Sequence, residues 1–198
     1  ADSELTTNPP PRAWEPWVLF LGRIETYKGV DLLLAAANRQ TGVQPSVVLA
    51  GRSPTALRAQ PPGVIHLNRH IDDRMGWDLF RRCRAVVLPY TGATQSALPA
   101  AAYAFGKPVI VSDSGALAES VVSGQTGWVT SAGDVAALAT ALADVRRRTP
   151  DELAQMGDAG RRWRTTARAK EERLLCALYR ESMSTVPEGL MPQTSIIQ

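Results

Sequence analysis

Leu88-Pro-Tyr-Thr-Gly-Ala-Thr-Gln-Ser-Ala-Leu-Pro-Ala-Ala-Ala-Tyr-Ala-Phe-Gly-Lys-Pro-Val-Ile-Val-Ser112 is the most informative stretch of this chain. An apolar strand over 85–88 runs into a polar loop of small residues. A helix is expected over about 95–105, followed by Gly106, Pro108 and a second apolar strand. The backbone amides near Thr94, Gln95 and Ser96 would open that helix without partners inside it. The helix dipole points its positive end to the same place, so an anion such as a phosphate is favoured there. Alanines along the helix let it lie close on a sheet. The pattern is that of the ligand-facing edge of a nucleotide-binding α/β domain.

Working outward, apolar runs over 17–21, 47–50, 64–67 and 127–130 read as further strands, several closed by glycine. Between them, helical spacing recurs over 30–38, over 72–83 with Trp77 and Phe80 on one face, over 115–122 and over 134–146. Asp72 or Asp73 is expected to cap the second of these, and Gly133 or Asp134 the last. Alternating strands and helices predict an α/β fold, a parallel sheet with helices on both faces. The expected organisation is a proline-rich linker or tail over 1–15, a nucleotide-binding domain over 16–146, closing helices over 147–185 and a disordered tail over 186–198. Two basic helices are expected in the closing segment, near 152–165 and 167–183.

A length of 198 residues suits one domain with an appended segment, and 44% hydrophobic residues are ample for a core. The net charge of +3 is mild; it fits an anionic ligand and argues against a nucleic-acid surface. Cys83 and Cys176, far apart and without metal spacing, read as reduced thiols of a cytoplasmic protein. No run approaches the roughly 18–20 apolar residues of a membrane span. The first residue is Ala1, not Met, which leaves a longer chain open.

In a doubly wound sheet, ligands bind beyond the carboxyl ends of the strands where strand order reverses. The residues just after each strand are therefore the candidates: Gly22-Arg23, Gly51-Arg52, Asn68-Arg69-His70, Tyr90 to Ser96, and Ser112 to Gly115. Glycines, hydroxyls and cations dominate, which suits a phosphorylated, sugar-bearing ligand. Arg23 and Lys28 lie on one short loop, as a diphosphate requires, because charge-assisted bonds are about twice as strong as neutral ones; the alternative reading is a pair of solvated loop charges. Arg52 reads as a surface residue. His66 and His70 lack a paired acid and nucleophile, so packing is the expected role for both. Glu119 serves either to accept from a sugar hydroxyl or to complement the dipole of its own helix. No Ser-His-Asp, His-x-x-x-His or Cys-x-x-Cys arrangement exists, so neither a self-contained hydrolase nor a metal site is expected. The basic stretch Arg161-Arg-Trp-Arg164, with Arg168, Lys170 and Arg173, reads first as a solvated helix face. Its second reading is peripheral contact with anionic lipid at a cytoplasmic membrane face. Trp163, Leu174, Leu175, Leu178 and Tyr179 recur at helical spacing and read as packing residues.

Phe20-Leu-Gly-Arg-x-x-x-x-Lys-Gly-Val-Asp-Leu-Leu-Leu34, Val47-Val-Leu-Ala-Gly51, Leu88-Pro-Tyr90, Ala104-Phe-Gly-Lys-Pro-Val-Ile110 and Gly124-Gln-Thr-Gly127 together resemble the group 1 family of glycosyltransferases. They match its carboxyl-terminal, donor-binding domain, one Rossmann-like half of a GT-B fold. The resemblance implies that Arg23 and Lys28 hold the diphosphate of a UDP- or GDP-type nucleotide sugar, with no separate cofactor. It implies that backbone near Arg69, His70 and Ile71 frames the base, and that Thr94, Gln95 and Ser96 meet phosphate and sugar. Gly22, Gly115 and Glu119 fall at the family's glycine turns and its glycine-x-x-glutamate loop. Arg23, Lys28 and Glu119 are thus the candidate catalytic groups.

The chain departs from the family pattern where the family carries acids. Those positions fall at Gly92, Ala93 and Ala101, and a further family glycine falls at Ala97. Losing a hydrogen bond to a charged group costs on the order of 1.5–3 kcal/mol, about tenfold to a hundredfold in affinity. The family's amino-terminal half supplies the acceptor site, from the same chain or another. The expected function is the donor-binding half of a retaining glycosyltransferase acting on a glycan, lipid or other acceptor, inactive as this domain alone. The alternatives are a degenerate donor-like module that scaffolds a partner and, more distantly, a sugar-nucleotide epimerase.

Overall fold

The computed structural model describes residues 15–40, 46–54, 61–92 and 95–184. Six strands, β1 (Val18–Leu21), β2 (Val47–Ala50), β3 (Val64–Leu67), β4 (Val86–Leu88), β5 (Val109–Ser112) and β6 (Gly127–Thr130), form one sheet. Its order is β3-β2-β1-β4-β5-β6 and every pairing is parallel. The sequence dictates this: β2, β4 and β5 are Val/Ile/Leu/Ala runs, with the one polar residue Ser112 at the end of β5, and all three are buried throughout. Such runs suit strands covered on both faces rather than one. The edge strand β3 is loosely covered, with Ile65 exposed, and the other edge strand β6 is partly so.

The helices are α1 (Val30–Asn38), α2 (Asp73–Arg82), α3 (Leu98–Ala104), α4 (Val135–Arg147) and α5 (Pro150–Ser184). From β1 the chain steps through α1 to β2 in one direction, and from β4 through α3 to β5 in the other. Right-handed crossovers then place α1 and α3 on opposite faces. The α4 helix returns to pack on α1, and Phe80 of α2 stacks on Phe105 beyond α3 with centroids 5.1 Å apart. Asp72 caps α2 by accepting from the Met75 amide at 2.8 Å, and Asp134 caps α4 by accepting from Ala136 and Ala137.

The structure corrects several expectations. The helix after β4 starts at Leu98, not Gln95, and has seven residues, with Pro99 in its first turn. Proline fits there because its missing amide has no partner to lose. Gln95 and Ser96 therefore belong to the preceding loop, and Ser96 Oγ accepts from the Leu98 amide at 3.3 Å. The segment 115–120 is a 3-10 helix, Gly115–Ser120. Trp77 and Phe80 line one cavity but differ in burial: the buried stripe of α2 is Gly76, Leu79 and Phe80, and Trp77 is 47% exposed.

The closing segment is a single helix rather than two. Its first turns bear the small residues Gly157 and Gly160, where a Cβ would stand 1.9 Å from Gly106 O and 2.2 Å from the Tyr103 ring. Arg161 Nε donates to Tyr103 O at 3.3 Å from the same region. The chain divides into two compact units, 1–162 and 163–198. In the second unit Leu174 and Leu175, expected as packing residues, are exposed; the described part of that unit is one helix, with no second layer to cover them. The tail expected over 186–198, the linker up to residue 14, and the side chains of Leu178 and Tyr179 lie outside the described residues.

Candidate functional site

Strand order reverses between β1 and β4, and the loops beyond their carboxyl ends carry the site. The β1 strand ends in Gly22, whose φ of +128° suits glycine; a Cβ there would stand 3.2 Å from Lys28 Nζ. Next to it, Gly51 at the end of β2 has φ +147°, and a Cβ would lie 2.0 Å from Gly22 O. The two strand ends thus lie flush because neither has a side chain. Beyond Gly22 the chain makes a 3-10 turn, Thr26–Lys28, closed by left-handed Gly29. The β4 loop is tied to this turn: the Thr91 amide donates to Tyr27 O at 2.7 Å, and the Tyr27 and Tyr90 rings meet edge to face at 6.0 Å.

Two cavities open here, and both are walled by Leu21 and Gly22. The first, about 470 Å³, lies beyond β1, β2 and β3. Its apolar surface comes from Ala50, Ile71 and Phe80, its cations from Arg23, Arg52 and Arg69, and Trp77 stands among its walls. The second, about 760 Å³, lies between the β1 and β4 loops and is walled by Tyr27, Lys28, Tyr90, Gly92, Gln95 and Ser96. Both volumes fall in the range of small-molecule sites.

The cations differ in setting. The Arg23 side chain is 81% exposed and pairs with Glu25 at 3.3 Å. Lys28 is half-buried, 5.8 Å from the Tyr27 ring centroid. Burial holds its ammonium below the usual lysine range, Arg23 adds to this and Glu25 opposes it. A partly desolvated cation gains more from an incoming anion than a solvated one, because water no longer screens the pair. Burial likewise pushes the Tyr90 hydroxyl up, against a hydrogen bond with Ser96.

A glycine-flanked cation pair on the β1 loop at the point of strand reversal agrees with the family model for glycosyl transferases group 1, which matches residues 15–147. The chain belongs to this family. It is 33% identical over 144 residues to glycogen synthase of Mycobacterium tuberculosis, covering 68% of this chain and 35% of that protein. It is 29% identical over 186 residues to D-inositol 3-phosphate glycosyltransferase of Streptomyces scabiei, covering 81% and 41% respectively. The chain thus spans less than half the length of these curated relatives. Among solved structures it is similar to the carboxyl-terminal domain of the group 1 protein LpcC from Francisella tularensis, at 18% identity and TM-score 0.65, covering 78% of this chain and 86% of that one. It is also similar to Anabaena Alr3699/HepE in complex with UDP, at 19% identity and TM-score 0.64, covering 87% and 49%. These likenesses establish the fold: a Rossmann-like domain of the GT-B type.

Within this group 1 domain the singled-out residues separate into sets. Gly22, Arg23, Arg69, His70 and Ile71 wall the first cavity; Gly22, Lys28, Gln95 and Ser96 wall the second. Thr94 and Ala93 lie outside the described residues. Gly115 and Glu119 wall neither cavity; both are exposed on the 3-10 helix after β5. His70, expected to pack in its loop, is exposed on the cavity wall, whereas His66 Nε2 lies 3.3 Å from Gly51 O. Arg52, read as a surface residue, is exposed yet walls the first cavity. Gly76, Trp77 and Tyr27 were not singled out for the site, whereas Tyr90, a candidate in the loop after β4, walls the second cavity. The available signal was Tyr27 beside Lys28, and a glycine-tryptophan pair early in a helix that follows a strand-end loop.

Other reactive groups lie elsewhere. Cys83 is buried and its thiol is pushed up to about 12 by burial, against the charge of Lys107. Burial pushes buried Lys107 down to about 8, with Cys83 opposing. Among the described residues no group of three or more His, Cys, Asp or Glu could hold a metal ion, and no helix is long and apolar enough to cross a membrane.

Proposed function

We propose that this chain is the donor-binding half of a retaining glycosyltransferase, which takes a sugar from a UDP- or GDP-type nucleotide sugar. The observation that carries the reading is the Arg23/Lys28 pair above Gly22, with one cavity on each side of it. The arrangement fits a three-part ligand: base and ribose in the first cavity, diphosphate over Gly22, sugar in the second. Backbone at Arg69, His70 and Ile71 frames the base, and Gln95 and Ser96 meet the sugar side. Arg23 and Lys28 neutralise the diphosphate as it departs, so the interaction is strongest where charge develops. The short α3 helix, starting at Leu98, contributes little dipole; the cations carry that task.

The acceptor, a glycan, lipid or other hydroxyl compound, comes from an amino-terminal domain in the same or another chain. Glu119 and Gly115, which wall neither cavity, lie outside this ligand path. The sugar-nucleotide donor is suggested by the UDP bound in the Anabaena relative; the retaining outcome rests on the sequence resemblance. Two cysteines without a disulfide-rich pattern support a reducing compartment such as the cytoplasm. A second reading, a donor-like module that scaffolds a partner without turnover, is favoured by one observation. No carboxylate stands among the described walls of the second cavity.

The test is isothermal titration of the folded chain with UDP, GDP and ADP, beside the Arg23→Ala/Lys28→Ala double variant. Binding of a nucleotide that the double variant loses supports the donor site. No heat from any nucleotide overturns it for this chain and leaves the scaffold reading in front.

A further inference from the structure

Gly76 is an unusual choice where it stands. It is the fourth residue of α2, its amide donates to Asp72 O at 2.8 Å, and it is buried. Apart from proline, glycine is the least favourable residue in a helix interior, because it loses the most backbone freedom. Elsewhere in this chain a helical glycine has an evident cause: Gly157 and Gly160 admit a backbone carbonyl and an aromatic ring. At Gly76 a Cβ would meet nothing within 4 Å, and φ lies outside the region that demands glycine. Neither close packing nor backbone conformation accounts for it. What lies there is open space, and Gly76 is a wall of the first cavity.

The neighbouring residue points the same way. Trp77 walls that cavity and is 47% exposed, although an indole is among the largest apolar groups a protein can bury. Phe80, one turn on from Gly76, is 4% exposed and walls the same cavity. A vacant helix position between an exposed indole and a buried phenyl ring leaves a gap bounded by aromatic groups, suited to a flat, unsaturated ring.

We infer that Gly76 is a specificity-determining residue: the space left by its missing side chain receives the heterocyclic base of the nucleotide, with Trp77 at its edge. The inference rests on the donor-site reading above and adds which residue sets the size of ring admitted. A side chain at 76 shrinks that space, and a two-ring purine loses more than a one-ring pyrimidine.

The test uses Gly76→Ala, Gly76→Leu and Trp77→Ala in the full chain. UDP, GDP, ADP and inorganic pyrophosphate are the probes, read by titration calorimetry, with thermal melts alongside. Gly76→Ala is expected to melt about 2–4 °C higher, since alanine suits a helix and strikes nothing, and yet to bind nucleotide more weakly. Gly76→Leu is expected to lose tenfold or more in nucleotide affinity, more for GDP or ADP than for UDP, with pyrophosphate affinity unchanged. Trp77→Ala is expected to weaken nucleotides and spare pyrophosphate. Unchanged nucleotide affinity in folded Gly76→Leu overturns the inference while leaving the donor site standing. Equal losses for nucleotide and pyrophosphate overturn it too, because the change then disturbs the phosphate cradle. If the parent chain binds no nucleotide, the donor-site reading fails first.

Discussion

At the residue scale, Arg23 and Lys28 differ in setting although both are cations on one loop. Arg23 is 81% exposed and already paired with Glu25, whereas Lys28 is half-buried. Exposed pairs contribute little and are screened by salt. Lys28→Ala is therefore expected to weaken nucleotide binding tenfold or more, and Arg23→Ala less. The contribution of Arg23 should fade between low and high salt while that of Lys28 persists. Titration of each single variant at two ionic strengths checks this; equal losses and equal salt slopes would refute it. Gly51 is a second residue-scale case. Any side chain meets Gly22 O at 2.0 Å on a backbone at φ +147°, so Gly51→Ala should destabilise by more than about 2 kcal/mol in urea unfolding.

At the element scale, the packing of α5 depends on two missing side chains. A Cβ at Gly157 would stand 1.9 Å from Gly106 O, so Gly157→Ala should cost about 1–3 kcal/mol, despite alanine's better helix propensity. Asp134→Ala removes the acceptor for two amides of α4 and should cost about 1 kcal/mol. Thermal melts of the two variants separate these effects, and a Gly157→Ala chain as stable as the parent would contradict the close approach. The basic character of α5 was plain in the sequence, but its small-residue face was not. Gly157 and Gly160 are four and one residues before Arg161, and the charges drew attention to a solvated face. In the structure Arg161 bonds to Tyr103 O and pairs with Asp158 at 3.5 Å, and Arg168 pairs with Glu172. The two ion pairs lie within the helix, as on a solvated face, whereas the Arg161 bond ties its first part to α3.

At the scale of the whole molecule, three buried ionisable groups tie stability to alkaline pH. Burial lowers Lys107 from 10.5 to about 8, so the cost of its buried charge is full below pH 8 and is relieved as pH rises toward 10.5. Burial raises Cys83 from 9.0 to about 12 and Tyr103 from 10.0 to about 12. For these two the unfolded chain ionises first, so stability is lost as pH rises from 9 and from 10, up to about 12. Stability should rise from pH 8 to 9, level off while the lysine and cysteine effects oppose each other, and fall above pH 10. Denaturant midpoints from pH 7 to 11 read this profile. Lys107→Met should remove the rise between pH 8 and 9, and a rise that persists in the variant would assign it to another group.

The sequence by itself determined the parallel sheet, because unbroken Val/Ile/Leu runs such as Val47–Ala50 can only be covered on both faces. It set glycines and cations directly after the strands, which made the strand-end loops the candidate ligand groups. Local chemistry was also legible in the caps, where Asp72 and Asp134 stand one residue before their helices. Tertiary structure alone decided which loops meet. Strand order places Gly51 beside Gly22 and the Thr91 amide on Tyr27 O, contacts between segments some 30 to 60 residues apart that no local pattern encodes. It also decided that, on the wall of one cavity, Trp77 is exposed and Phe80 buried, and that Gly76 leaves open space. Helical spacing reports which residues share a stripe, but only the packed neighbours show whether that stripe meets side chains or open space.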